Sequence, residues 1–347
     1  MAKPDTDITR RARRVRIAVV SLLVPLAALL APAGRADDAP SWGFALRNQN
    51  PFLQVFGLPV YQTADVATAG HPAWQLSFDL ANHADSGDTD AESFGIDGET
   101  YFLTLSMRRR ITDWLELGFD VPFLSHTDGF MDNVIEGWHD LLGISNTKRS
   151  GPSNQLEFFY QRDGEELFRL DSPTSGLGDI QLSAAIPLRD GEDGKSRVTI
   201  RSSVKLPTGD ADDLLGSGGT DFALGVYWTG TSSLRGHDLE WTGFAGGLAL
   251  GDGEVLPDLQ NSFVAFGGAG VNWQVWERID LAAQLYAQQP FFDSSVEELG
   301  GSSVQLTVGG LYRMRNNARL RLAIVEDVMA NATPDFAIHF SVSFGGG

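Results

Sequence analysis

The chain ends in DFAIHFSVSFGGG, residues 335–347. Phe336, Ile338, Phe340, Val342 and Phe344 are apolar, and His339, Ser341 and Ser343 between them are polar. Side chains of a strand alternate between its two faces, so this period of two predicts a strand with one apolar and one polar face. No charge follows Asp335 before the carboxyl terminus. An apolar face of that length needs a cover, and the rest of the sequence indicates what the cover is.

The same period recurs along the chain. AWQLSFDLAN (73–82) sets Trp74, Leu76, Phe78 and Leu80 against Gln75, Ser77 and Asp79. WLELGFDVPF (114–123) sets Leu115, Leu117, Phe119, Val121 and Phe123 against Glu116, Gly118 and Asp120. Further strands are predicted at 100–108, 178–188, 197–206, 221–228, 239–250, 262–275, 281–288, 303–314 and 319–325, which with 336–344 make twelve. Their connections alternate as well. Residues 109–113, 276–280 and 315–318 are tight turns, whereas 83–99, 124–177, 207–220, 251–261 and 289–302 are longer.

Short turns at one end and long loops at the other are the habit of a transmembrane barrel with an apolar outer face and a polar lumen. The predicted fold class is therefore all-β, a transmembrane antiparallel up-and-down β-barrel of about 12 strands. Counting 155–161 and 166–170 as membrane strands would make fourteen. An even number puts both termini on the periplasmic side. Lipid then covers the apolar face of 336–344, and this strand pairs with 73–82, because no open edge survives in hydrocarbon. A soluble sandwich or lipocalin-like barrel would show the same alternation. Against it, a bulky apolar face opposes Ser, Thr, Gln, Gly and charges of both signs, as expected of a wet lumen. Aromatics also gather at strand ends, namely Trp74, Tyr101, Trp114, Phe123, Trp228, Trp276, Phe291 and Phe344, as interfacial girdles would.

Residues 1–36 read as a secretory signal peptide. Arg10, Arg11, Arg13, Arg14 and Arg16 precede the apolar run IAVVSLLVPLAALL (17–30), and Gly34-Arg35-Ala36 offers a cleavage site. Arg10-Arg11 hints at twin-arginine export, but Arg13 stands where an apolar residue is expected, so Sec-type export is preferred. The destination is the outer membrane of a Gram-negative bacterium. Cysteine is absent, which excludes a disulfide framework, thiolate metal sites and a cysteine nucleophile. Removing residues 1–36 takes away seven basic and two acidic residues, so the net charge of −19 becomes −24. That balance argues against nucleic acid as a partner. The expected partners are outer-membrane lipid and lipopolysaccharide, the barrel-assembly machinery and a small-molecule solute. No cofactor or metal is expected. The domain reading is a signal peptide at 1–36, a periplasmic N-terminal segment or plug at 37–72, and a barrel at 73–347.

Four stretches carry a resemblance. RNQNPFLQVFGLP (47–59) resembles the opening of an outer-membrane β-barrel family of bacterial proteins classed as a domain of unknown function. FMDNVIEGWHDLLGI (130–144) is similar to that family's IEGFHD segment. GLGDIQLSAAIPL (176–188) and KLPTGDADDLLGSGGTDFALGVYW (205–228) also resemble the porin-like family associated with aromatic (phenol meta-pathway) degradation. The resemblance spans 47–344 and implies an outer-membrane barrel. It supplies neither a substrate nor a catalytic residue.

Several candidate sites follow. Alternation turns Asp79, Arg108, Glu116, Asp120, Arg201, Lys205 and Asp221 inward, where they either pair and fill the barrel or form a selectivity surface. In 130–144, Met131, Ile135, Trp138 and Leu142 recur at helical spacing in the longest extracellular loop. Ile135, Glu136, Trp138, His139 and Asp140 could therefore constrict the mouth, or belong to an external cap. Phe340, Val342 and Phe344 form a terminal strand of the kind the assembly machinery reads. RNQNPFLQVFGLP is either a segment bracing the barrel's lower end, the favoured reading, or a plug in the lumen. The acidic stretches 86–99 and 209–213 lack EF-hand spacing and read as solvated surface, or as bridged by divalent ions to lipopolysaccharide, rather than as Ca²⁺ sites.

The expected function is a passive channel or facilitator for small molecules. The alternatives are a lipid-modifying barrel enzyme, such as a phospholipase or lipid-A deacylase, and a closed structural barrel. The enzyme would need Ser and His together on the lipid face, with a third group orienting the His. His339 and Ser341 are neighbours, but alternation turns both inward, so no catalytic residue is assigned.

Overall fold

The structure, a computed structural model, describes residues 43–129, 155–190, 195–234, 236–315, 318–329, 334 and 336–345. Its strands are β1 (Ala73–Asp88), β2 (Glu92–Thr112), β3 (Leu115–Thr127), β4 (Glu157–Arg162), β5 (Glu165–Leu170), β6 (Thr174–Leu177), β7 (Gln181–Asp190) and β8 (Ser196–Lys205). They continue with β9 (Asp221–Leu234), β10 (His237–Ala249), β11 (Phe263–Trp276), β12 (Ile279–Gln288), β13 (Ser303–Arg313), β14 (Arg319–Met329) and β15 (Phe336–Gly345). Among the described residues, twelve of these close an antiparallel barrel: β1, β2, β3 and β7 through β15. The seam is β1 on β15, with Trp74 opposite Phe344 and Phe78 opposite Phe340. Every barrel strand therefore has two hydrogen-bonded neighbours, which is what hydrocarbon demands.

The other three strands lie outside the ring. β4 and β5 form a hairpin that pairs with the far end of β2, Glu92–Asp97, and β6 continues the sheet along the end of β3. The count of fourteen membrane strands is thereby excluded. Residues 83–99, expected as a loop, instead prolong β1 and β2 into a hairpin whose register runs to Asp88 opposite Ser93. Its acidic composition conceals the period of two that Phe94 and Ile96, both buried, still carry. The helix expected at 130–144 lies outside the described residues. Among the described residues a single-turn α-helix, α1 (Glu297–Gly300), sits in the connection between β12 and β13.

β9 displays the facing most plainly. Phe222, Leu224, Val226 and Trp228 are exposed on the outside, and Asp221, Ala223, Tyr227 and Thr229 are buried inside. Trp114, Trp241, Trp276 and Tyr312 are exposed near the short-turn end, as an interfacial girdle requires. Phe291 departs from that pattern. It is fully buried and stacks on Phe56 at 5.1 Å, because the 289–302 connection folds back over the barrel mouth.

The inward face does not enclose an open wet bore. Residues 43–69 occupy it, starting beside Gln284 in mid-barrel, turning at 51–56 and returning to a bridge between Ala69 and Arg110 near the short-turn end. The two limbs meet where the Tyr61 amide donates to Leu46 O at 2.8 Å. At the long-loop end Phe52 packs on Phe94 and Phe168, and Phe56 packs on Phe291 and Phe292. Phe52, Val55, Phe56 and Leu58 find there the burial that their composition requires.

Candidate functional site in the barrel lumen

Period two brings the polar residues of separate strands to one interior, and there they pair. Arg108 Nη2 meets Asp120 at 2.8 Å, and Arg201 Nη1 meets Glu116 at 3.0 Å. Lys205 Nζ lies 2.5 Å from Asp179 and 3.4 Å from Asp221. Asp79 contacts His339 Nδ1 at 2.5 Å across the closing seam. All seven predicted lumen residues thus face inward, each against a partner of opposite charge or a histidine. Which strands pair is beyond the reach of alternation, since it fixes a face and not an azimuth.

Four residues of these pairs escaped the sequence reading: Asp179, His339 as an ion-pair member, and Arg313 and Asp280, which pair at 2.6 Å. The signal for Asp179 was available, because it continues the inward series 181, 183, 185 of β7. Its placement depends on the GLGD turn. A Cβ on Gly178 would lie 2.4 Å from Leu124 Cδ1, so glycine lets the chain break between β6 and β7 and direct Asp179 inward. Asp179 then accepts from the amides of Thr208, Gly209 and Ser217, while Lys205 also donates to Ser217 Oγ and Gly219 O. This hub fastens the 207–220 loop over the lumen.

The N-terminal segment is tied to the same groups. The Gly57 amide donates to Asp221 Oδ2 at 2.7 Å, a close approach in which a Cβ on Gly57 would lie 2.8 Å from that of Asp221. Ala64 N donates to Thr229 Oγ1 at 2.8 Å, and Ala67 N donates to Glu116 Oε2 at 2.5 Å. Arg201 donates to the Thr63 and Asp65 carbonyls, and Tyr286 to that of Pro59. Arg47 donates to Phe56 O and Leu58 O and stacks over Phe102. Between segment and wall remain two small cavities, one beside Arg47, Asp79, Phe102 and Gln181 and another beside Tyr61 and Arg321.

His339 Nε2 lies 3.0 Å from Ser341 Oγ, so Ser341, His339 and Asp79 have the spacing of a hydrolytic triad. Access is what they lack. His339 and Ser341 are both 0 % exposed and neither lines either of those two cavities, so a scissile bond has no approach to the hydroxyl. The trio satisfies buried polar groups.

The remaining candidates have other surroundings. Ile135, Glu136, Trp138, His139 and Asp140 lie outside the described residues. Phe340 faces outward and is exposed, whereas Val342 and Phe344 pack beside Trp74, Leu76 and Leu320. Among the described residues no three acidic or histidine side chains converge on a metal position. In the 209–213 stretch, burial, with Asp210 and Asp212 alongside, pushes the Asp213 carboxyl up from its ordinary range.

A closed twelve-stranded ring, apolar outside and polar within, is an outer-membrane β-barrel. This chain belongs to the family described as "Protein of unknown function (DUF3187)", which matches residues 19–345. No curated protein sequence matches it. Its fold is similar to that of the COG4313 outer membrane channel from Pseudomonas putida F1. That likeness has a TM-score of 0.54 and 13% identity and covers 82% of this chain and 99% of that one. Weaker likenesses include the NanC porin (TM-score 0.43, 8% identity, 79% and 98% covered) and the KdgM porin (TM-score 0.40, 7% identity, 78% and 98% covered).

Proposed function

We propose that this barrel is a passive channel or facilitator for small molecules and that residues 43–69 are its plug. The observation that supports this is the plug's returning limb, which is joined to the wall by hydrogen bonds to Thr229, Glu116 and Arg201 as well as by the packing of Tyr61 on Phe244. Such bonds contribute about 1 kcal/mol between neutral groups and about 1.5–3 kcal/mol where one partner is charged, because water replaces them when they open. The limb can therefore leave the wall at modest cost, and the inward face it uncovers is polar. A second reading, a closed structural barrel, is favoured by the apolar packing of Phe52 and Phe56 at the long-loop end.

A tether separates the two. The sequence has no cysteine, so an Ala64→Cys, Thr229→Cys pair can lock the limb to β9 without competing thiols. In planar bilayers the oxidised pair is expected to conduct at least tenfold less than the same protein after reduction, with conductance restored to the untethered level. Equal conductance in both states would show that plug movement is not the gate. Silence of the untethered protein as well would favour the structural barrel.

A further inference from the structure

His83, Thr100 and His126 sit on the inward faces of the adjacent strands β1, β2 and β3, and all three are buried. One run of hydrogen bonds joins them. His83 Nε2 lies 3.1 Å from Thr100 Oγ1, that hydroxyl lies 3.0 Å from His126 Nδ1, and His126 Nε2 lies 3.2 Å from Leu214 O. A carbonyl only accepts, so His126 carries its proton on Nε2 and its bare Nδ1 accepts from the Thr100 hydroxyl. The hydroxyl has one proton to give, so it accepts in turn from His83 Nε2–H. The run is complete only while both rings are neutral. His83 Nδ1 has no partner among the described residues, and both rings stand edge-on to Phe158 of β4, with centroids 5.9 and 5.4 Å away. Past Leu80 and Phe123 the outward positions are Asn82, Ser125 and Thr127, so the pair lies above the apolar band.

The far end of the run is the tip of the 207–220 loop. Leu214 holds a φ of +52°, in the left-handed region where a leucine is strained, and is nonetheless fully buried. The loop's root is fastened at Asp179 and Lys205, whereas its tip is held by the His126 bond and by Thr174 Oγ1 on Asp213 O at 3.2 Å. We infer that His126 is an acid-sensitive latch on this loop, which releases the tip when the ring takes a second proton. No carboxylate bonds either ring among the described residues, so none shares such a charge. Glu99 lies on the outward face of β2 and accepts from Tyr101 at 2.6 Å, Glu157 of β4 bonds Arg169, and Asp85 stands two residues beyond His83 on β1. Burial pushes both imidazoles down, His126 to about 4 and, with His126 alongside, His83 to about 3. Released into water, the ring regains a value near about 6.5. Closure is therefore fully favoured above about pH 6.5 and loses that advantage as the pH falls toward about 4. The tip's own acids are Asp210, Asp212 and Asp213. Burial and the other two push Asp213 up, which favours closure in acid and opposes the histidine. The latch affects flux only if the channel reading holds.

Release of the tip can be measured without any current. In a chain without native cysteine, Ala211→Cys puts a single thiol in the tip, at a position 7 % exposed. Its maleimide labelling rate in lipid nanodiscs is divided, at each pH, by that of an exposed cysteine made by Asp171→Cys, which removes the thiol's own pH dependence. The ratio is expected to rise about tenfold or more between about pH 7.5 and about pH 5, with its onset near about 6.5. Adding His126→Gln keeps a donor for Leu214 O but removes the titrating ring, and is expected to cut the rise to less than about threefold. Asp213 is present in both proteins, so its opposing titration cancels. If His126→Gln loses the heat-modifiable migration of a folded barrel, the onset in the protein with both histidines decides, since a carboxylate would begin only below about pH 5. A flat ratio, an onset below about pH 5, or an undiminished rise in folded His126→Gln would overturn the latch. A histidine-dependent rise in a protein that never conducts in planar bilayers would keep the latch and reject the channel. Conductance with a tip that stays closed at every pH would do the reverse.

Discussion

Lys205→Met is expected to lower the stability of the folded barrel by about 3–5 kcal/mol, the cost of removing one member of a buried ion cluster. Lys205 is 1 % exposed and stands between Asp179 and Asp221, both also buried. Methionine fills the space of the aliphatic stem but leaves two carboxylates facing one another without a cation. The three loop amides on Asp179 and the Gly57 amide on Asp221 soften the effect without neutralising it. Denaturant unfolding in lipid vesicles gives the stability, and limited proteolysis reports whether the 207–220 loop has come loose. Adding Asp221→Asn to Lys205→Met is expected to recover part of the loss, because it removes one uncompensated charge. A change below 1 kcal/mol in the single variant would mean that water reaches the cluster.

The second large effect lies on the opposite face. Val226→Lys is expected to cost about 2–4 kcal/mol in vesicles, the penalty for a lysine near the bilayer midplane on the lipid side of a barrel. Val226 is 52 % exposed in the isolated chain, between Leu224 and Trp228, so the exposed surface is what lipid would cover. Trp228→Lys, toward the girdle, should cost distinctly less, because a lysine there can reach the interface. Equal costs at 226 and 228 would contradict the depth assigned to β9.

Period two made the wall legible. Each of the twelve predicted strands has its counterpart in the ring, because lipid outside and polar groups inside impose opposite demands on successive residues. The strand ends were less legible. β1 and β2 run on into a hairpin above the barrel, where no lipid requires an apolar row and the residues are acidic. The lumen was legible in facing only. Asp79, Glu116 and Lys205 could be turned inward by parity, but their partners depend on the closing register and on the GLGD turn. Residues 43–69 have no period at all. RNQNPFLQVFGLP announces a need for burial, and only the folded barrel supplies its surroundings.

The measurement that bears most directly on this architecture is a single-cysteine scan of β9, straightforward in a chain without native cysteine. A fluorophore is attached in turn at positions 222 to 229 in vesicles containing brominated acyl chains. Quenching is predicted at 222, 224, 226 and 228, with protection at 223, 225, 227 and 229, where residues 43–69 and the inward groups lie. Quenching at the odd positions would reverse the faces, and quenching at none would remove the protein from the membrane.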